Sequence, residues 1–302
     1  MIKDRNIADD AAIMIYKILG GAALGMGDLF VVGTSGTAAY NWWRSRIPSS
    51  KMFQTVKTAL AACTAGRNDK IICLPQSTEA IIAAATLDIN KAGVEIIGVG
   101  TGSYRPTWTL STAAAATLAI SAANVKMSNI YIDSTGVAAV AVGITVTGAG
   151  LNMSNVEHYF AKTSYVTVLG MTFDSTATAT NVIIDNCYMH GDAAANCTQY
   201  MSLLAGGANF KVTGSIIHGS FSVGTGCITS AAAVTNYYIV NNVLVNETSN
   251  SLKTVVMYTG STGILANNRS GLVGTATVPF SADTGHWIGN WAGKVATDST
   301  LM

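Results

Sequence analysis

The chain is predicted to be all-β: a right-handed parallel β-helix, that is, a solenoid, with an N-terminal capping helix and an irregular N-terminal arm. Three observations predict this. The first is a ten-residue phrase that recurs from Asn124 (NVKMSNIYID), Tyr165 (YVTVLGMTFD), Asn181 (NVIIDNCYMH), Asn209 (NFKVTGSIIH) and Asn236 (NYYIVNNVLV). The second is the Asn or Gly at its centre, at Gly98, Asn129, Asn155, Gly170, Asn186, Gly214, Asn241, Asn267 and Gly289. Apart from the closer set around Gly170, these pivots step by roughly 22 to 31 residues, the period of a solenoid whose coils bury their apolar faces on one another. The third is composition: 49% hydrophobic, 11% charged and 30 glycines in 302 residues. Disorder needs more charge and less apolar content. Small and β-branched residues suit narrow coils joined by tight turns.

Taken in order, residues 1–50 contain no copy of the phrase and read as an irregular docking arm with a short helix near 11–19. Acids at Asp4, Asp9 and Asp10 argue against a secretory signal. Residues 11–33 are apolar enough to suggest a membrane span, but Lys17, Asp28 and the glycines weaken it, and an arm or plug against a partner is expected instead. Trp42, Trp43, Arg44 and Arg46 form an aromatic–basic cluster of the kind enriched in interface cores, so they are candidate partner-binding residues. The alternative is that the indoles cover the end of the solenoid.

Residues 51–302 are expected to form the β-helix, opened by a capping helix over 51–65. Ser50 is a candidate N-cap, and Phe53, Val56, Leu60 and Cys63 form a stripe at helical spacing. Gly66 is a candidate C′ residue. An open solenoid end exposes apolar interior and unpaired backbone, so such a helix is its natural lid. Asp69–Pro75 reads as a strand stopped by proline. The coils begin near Leu87, and the Thr/Ala/Ser-rich stretch 107–123 is taken as coil strand because its neighbours are. Pivots are Asn or Gly because a sharp corner needs positive φ, and stacked asparagines can bond along the axis as a ladder. Trp287, Trp291 and the tail are expected to close the C-terminal end.

A net charge of +1 points to no nucleic-acid role. Between Asp28 and Asp69 there are no acids, while Arg44, Arg46, Lys51, Lys57 and Arg67 are basic. That window suits an acidic protein surface or a solvated helix face. The five cysteines show no CxxC spacing and read as buried free thiols.

From the helix onward, roughly residues 50–290, the chain resembles the pectate-lyase-like superfamily of right-handed β-helices. The matching residues are Gly66-Arg67-Asn68-Asp69, the apolar strand, Leu74-Pro75, and Val94–Gly100 (VEIIGVG), although Gln76 stands where relatives place glycine. The Ala/Thr/Ser/Gly-rich coils and the aromatic–basic linker look like a bacteriophage virion protein, a capsid decoration or accessory head protein. The resemblance implies a homotrimer bound to the major capsid protein or other virion proteins through its N-terminal region. The particle is expected to assemble in the host cytoplasm, with no membrane or nucleic-acid partner and no cofactor. The runner-up is a tail spike-like protein that binds or degrades glycan.

No catalytic residue is assigned. Asp133, Glu157, Asp174, Asp185, Asp192, Glu247 and Asp283 are isolated in sequence, whereas glycoside hydrolysis needs paired carboxyl groups. One constellation stands out by register. The tenth position of the phrase holds Asp133, Asp174, His190 and His218, so Asp174, His190 and His218 could stack as a metal-binding or acid–base column. The alternative is that position ten ends a strand, where any turn-tolerant polar residue serves. A glycan groove would draw on Tyr131, Tyr159, Tyr165, Tyr188, Tyr200, Tyr237, Tyr238 and Tyr258.

Overall fold

The computed structural model describes residues 27–84, 86–136, 138–162, 165–173, 179–192, 196–221, 226–247, 253–272, 280–281 and 286–294. Nearly all of the regular structure in them is β, wound as a solenoid with three lateral faces. Face A is an eleven-stranded sheet that includes Glu95–Gly98, Lys126–Ser128, Asn152–Ser154, Ile183–Asp185, Lys211–Thr213, Tyr237–Val240 and Gly263–Ala266. Face B carries Thr107–Ser111, Tyr131–Gly136, Glu157–Lys162, Tyr188–Gly191, Ile216–Phe221, Val243–Asn246 and Arg269–Leu272. Face C carries Leu118–Ile120, Val140–Val146, Tyr165–Phe173, Gln199–Leu203 and Ile228–Ser230. Each strand pairs in parallel with the strand one coil away.

The phrase now has a mechanical meaning. Its first and sixth positions are left-handed: Asn124, Asn181, Asn209 and Asn236 at φ 56–60° with Gly150 at 75°, then Asn129, Asn155, Asn186, Gly214, Asn241, Asn267 and Gly289 at φ 50–62°. These two columns bracket face A and turn the chain into and out of it. The second and fourth positions point inward, giving the buried column Ile96, Met127, Met153, Ile184, Val212, Ile239 and Leu265. One apolar core runs from Phe30 to Phe280.

Two pivots are not left-handed corners; for Gly170 the short spacing leaves open another face of the same coil or unusually short turns, and the structure selects the other face. Gly170 is not at a corner. It lies within Tyr165–Phe173 on face C, and a Cβ there would stand 2.3 Å from the Tyr200 ring, so the glycine makes room for a side chain. The Tyr165 copy therefore belongs to another face, which explains its short spacing. Gly98 is not left-handed either; a Cβ there would meet the Asn129 carbonyl oxygen at 2.1 Å, and the positive φ comes two residues later, at Gly100.

The lid is present but starts later than predicted. Helix α2 is Val56–Ala62, capped by Thr55, whose hydroxyl accepts from the Thr58 N–H; Ser50 lies in a 3-10 turn, and the helix ends at Cys63 rather than near Gly66. Phe53 lies in the strand Met52–Phe53. Val56, Ala59, Leu60 and Cys63 are buried in the core, as a lid requires. The Glu79 carboxylate, itself buried, accepts from the Val56 N–H at 2.6 Å and ties the lid to the first coil. Asp69, also buried, accepts from the Asp28 and Thr64 N–H groups and from Arg67. Burial would raise its pKa, but these hydrogen bonds outweigh burial and hold it below the ordinary value. The Gly66–Asp69 motif is thus a turn closed on its own aspartate.

Leu29–Val32, inside the expected 1–50 arm, pairs with Met52–Phe53 on one side and Lys70–Cys73 on the other. Residues 1–26, including the expected helix over 11–19, lie outside the described residues. Among the described residues no helix is long and apolar enough to cross a membrane. Trp291 does not close the C-terminal end: it points outward and is 73% exposed.

Candidate functional site

Positions eight and ten of the phrase face outward on face B, which sets two columns side by side. One runs Tyr131, Glu157, Tyr188, Ile216, Val243, Arg269; the other runs Asp133, Tyr159, His190, His218, Val245. Their upper part is a strip of aromatic, acidic and imidazole side chains. Glu157 is held from both sides, one carboxylate oxygen on Arg105 and the other 3.0 Å from His190 Nε2. The His190 ring lies stacked between Tyr159 and Tyr188, with centroids 4.7 and 4.4 Å away. The Tyr159 hydroxyl donates to Asp192 at 2.9 Å; burial, and then this bond, push the phenol up to about 12. Burial, followed by the nearby charges of Asp133 and Glu157, also raises the Tyr131 phenol. Asp133 itself is turned back onto the Thr135 N–H and hydroxyl.

His190 and His218 do stand in register on adjacent coils. Their rings serve different carboxylates, however. His190 reaches Glu157 on the preceding coil, and His218 Nε2 lies 2.8 Å from Glu247 Oε1 on the following one. The two Nε2 atoms therefore turn toward opposite ends of the solenoid. Asp174, the third member of the expected column, lies outside the described residues. Among the described residues no three His, Cys, Asp or Glu side chains are placed to hold a metal ion. Chemically, the strip holds two separate sets of contacts, Arg105–Glu157–His190 and His218–Glu247. Each oxygen of Glu157 already has one partner and keeps one lone pair for a further donor.

The aromatic–basic cluster lies on helix α1, Ala38–Arg44, capped by Thr37, and on the turn after it. Tyr40, Ile47 and Met52, with half-buried Trp43, pack on Val31 and Leu74, so α1 covers the outside of the first coils. Trp42 meets Trp43 edge to face at 5.3 Å, the Arg46 guanidinium lies 4.1 Å over the Trp42 ring, and Arg44 lies 5.9 Å from the Tyr40 centroid. Both expected roles, end cover and partner contact, are compatible with indoles that are half-buried.

Sequence reasoning missed a polar network inside the solenoid. His158 is fully buried, with Nε2 2.7 Å from the Ser134 hydroxyl and Nδ1 2.8 Å from the Tyr200 hydroxyl. Burial, and secondarily the charge of His190, push its pKa down to about 3, so the ring is neutral at physiological pH. A signal was available: position nine holds Ile132, Met189, Ile217 and Leu244 in other copies, and His158 breaks that apolar run. A second internal feature is a ladder at position seven. Asn242, Asn268 and Asn290 each accept from the chain one coil before, and Asn242 and Asn268 pass an amide N–H to the next Oδ1 at 3.0 Å. All five cysteines are free and buried. Burial pushes Cys63, Cys187 and Cys197 up to about 12 and raises Cys73 and Cys227 as well.

No family model matches the chain, and no curated protein matches it. Among solved structures, a chain described as ORF18 of Geobacillus virus E2 is similar at 11% identity and a TM-score of 0.40, over 80% of this chain and 58% of that one. This chain thus spans less than two thirds of that protein's length.

Proposed function

We propose that this protein is a non-enzymatic structural element of a bacteriophage particle, a homotrimeric capsid decoration or accessory protein that docks through its N-terminal region. The observation that carries the structural part is the single core from Phe30 to Phe280. A stack in which every coil rests on the next is a stiff rod. Most polar contacts of the face B strip join one coil to the next, Glu157 to Arg105 and His190 and Glu247 to His218, which suits bracing, although Glu247 Oε2 is buried without a partner. The particle, the trimer and the docking arm rest on the sequence resemblance and on a surface poor in charge, which favours coverage by other subunits.

Light scattering on the purified chain, joined to imaging of particles, tests this reading. The expected mass is three times the 31.2 kDa chain, with particle density that fits the solenoid. A monomer at micromolar concentration would remove the trimer, and particles without the chain would remove the structural role. Removing residues 1–50 is a poor test, because it deletes the paired strand Leu29–Val32. Removing 1–26 retains that strand.

A second reading, glycan contact, is favoured by one arrangement: Tyr131, Tyr159 and Tyr188 lie among Asp133, Glu157 and Asp192 on one face. Incubation with host polysaccharide, read as new reducing ends or unsaturated products, separates binding from cleavage.

A further inference from the structure

The first left-handed column does more than turn the chain. Asn181, Asn209 and Asn236 carry their amides on the outside, where Asn209 Nδ2 donates to Asn181 Oδ1 and Asn236 Nδ2 to Asn209 Oδ1, both at 2.6 Å. Each bond uses one N–H and one oxygen lone pair, so every amide keeps hydrogen-bonding capacity for the solvent side. Two residues further along each strand stand Ile183, Lys211 and Tyr238, in register on consecutive coils. Amides and side chains together line a trough of about 310 Å³ on face A, near the lower end of the usual size for small-ligand sites. The Tyr238 ring is 39% exposed, and the Lys211 ammonium lies 5.6 Å from its centroid. Among the described residues no carboxylate forms an ion pair with Lys211.

We infer that this trough binds an anionic saccharide, with Lys211 on the acidic group, Tyr238 against the apolar face of a sugar ring, and the amide ladder on its hydroxyls. Each part answers one feature of such a ligand. An unneutralised ammonium at the floor selects negative charge. A half-exposed tyrosine offers a flat apolar surface with a polar edge. The ladder presents donors and acceptors at one coil spacing, about 4.8 Å. An extended peptide presents its groups at about 3.3 Å per residue and falls out of step with that ladder, so a sugar chain fits better than an acidic peptide. This site is separate from the face B strip and does not depend on the particle reading.

The test is calorimetry of the full chain against sialyllactose, a sulfated heparin hexasaccharide, neutral lactose and a short poly-glutamate peptide. Binding of either acidic sugar, at least tenfold tighter than lactose and weakened by salt, is expected. Lys211→Gln and Tyr238→Ala should each weaken it tenfold or more, while Tyr188→Ala on face B leaves it unchanged. Both trough side chains point outward, so an unaltered circular dichroism spectrum will accompany the loss. Absence of binding to both acidic sugars, equal binding of lactose, preference for poly-glutamate, or loss in Tyr188→Ala without loss in Lys211→Gln would each overturn the assignment.

Discussion

Acid should loosen this solenoid from the inside, at His158. Both ring nitrogens are satisfied by hydroxyls, Ser134 on one side and Tyr200 on the other, and no carboxylate hydrogen-bonds the ring. Protonation would place an imidazolium in the core between the rings of Phe160 and Tyr200, 6.0 and 5.6 Å away. The folded-state pKa is about 3 against an ordinary 6.5, so the unfolded chain takes up a proton that the folded chain refuses. The sign follows: this stabilisation is complete above pH 6.5 and is lost progressively as pH falls toward 3. Three and a half pKa units correspond to about 5 kcal/mol over the whole window, of which about 2 kcal/mol is lost between pH 8 and pH 5. Urea unfolding followed by tryptophan fluorescence at pH 8, 7, 6 and 5 measures it, with His158→Gln as the non-titrating reference. The reference starts less stable, but its pH dependence should be flatter by those 2 kcal/mol. Parallel curves for the two proteins, or an NMR titration of His158 with a midpoint near 6.5, would refute the reasoning.

Three other outcomes follow from the same structure. Asn268→Ala removes the acceptor for the Asn242 N–H and the donor to the Ile239 carbonyl, both buried; at about 1–3 kcal/mol for each stranded group, a loss of 2–6 kcal/mol in urea unfolding is expected. Asn241, at φ 60°, should accept Gly with little change, whereas Asn241→Val should cost about 1–2 kcal/mol or more for forcing a β-branched residue left-handed, read as a fall in melting temperature. The buried, high-pKa cysteines should leave the native protein unreactive to a thiol reagent at pH 8, with five thiols appearing only in denaturant.

How much of this was legible depends on what a residue type can encode. The face A corners were readable because left-handed backbone narrows the choice to Asn and Gly, and the two columns repeat that choice coil after coil. Gly170 stood apart by its spacing, which left another face or short turns open; the residue type could not choose, because glycine supplies positive φ at Gly214 but empty space at Gly170, where the Tyr200 ring takes the volume of a side chain. The late start of α2 was hidden because Ser50 and Thr55 are both competent caps, and only the pairing of Met52–Phe53 with Val31–Val32 decides between them. The register of His190 with His218 followed from period alone. Their carboxylate partners did not, since Glu157 and Glu247 reach them from flanking coils and the turns between coils vary in length. The Ser134–His158–Tyr200 network crosses the interior from face B to face C, and no spacing along the chain encodes a contact between faces.

The two left-handed columns also explain why the interior can change chemistry along the axis without changing shape. The residue after each second pivot must point inward, whatever it is: Ile130, Val156, Cys187, Ser215, Asn242, Asn268 and Asn290 occupy that place in turn. In the early coils it fills the core with apolar volume. From Ser215 onward it satisfies the backbone of its neighbours instead, through Ser215 Oγ on the Cys187 N–H and the asparagine amides beyond. An apolar side chain contributes burial at such a corner, whereas an amide contributes hydrogen bonds to buried peptide groups that would otherwise be stranded. The switch occurs where the exterior also changes, from the Lys70–Glu95 and Arg105–Glu157 ion pairs to the neutral amide ladder and the exposed Ile216, Ile264 and Trp291. The N-terminal coils are thus tied from outside by the stronger ion pairs, and the C-terminal coils mainly from inside by amides, with His218–Glu247 the outer contact among them. High salt should therefore weaken the first half modestly more than the second, because screening reaches the partly exposed Lys70–Glu95 and Arg105–Glu157 pairs and leaves buried amide bonds untouched.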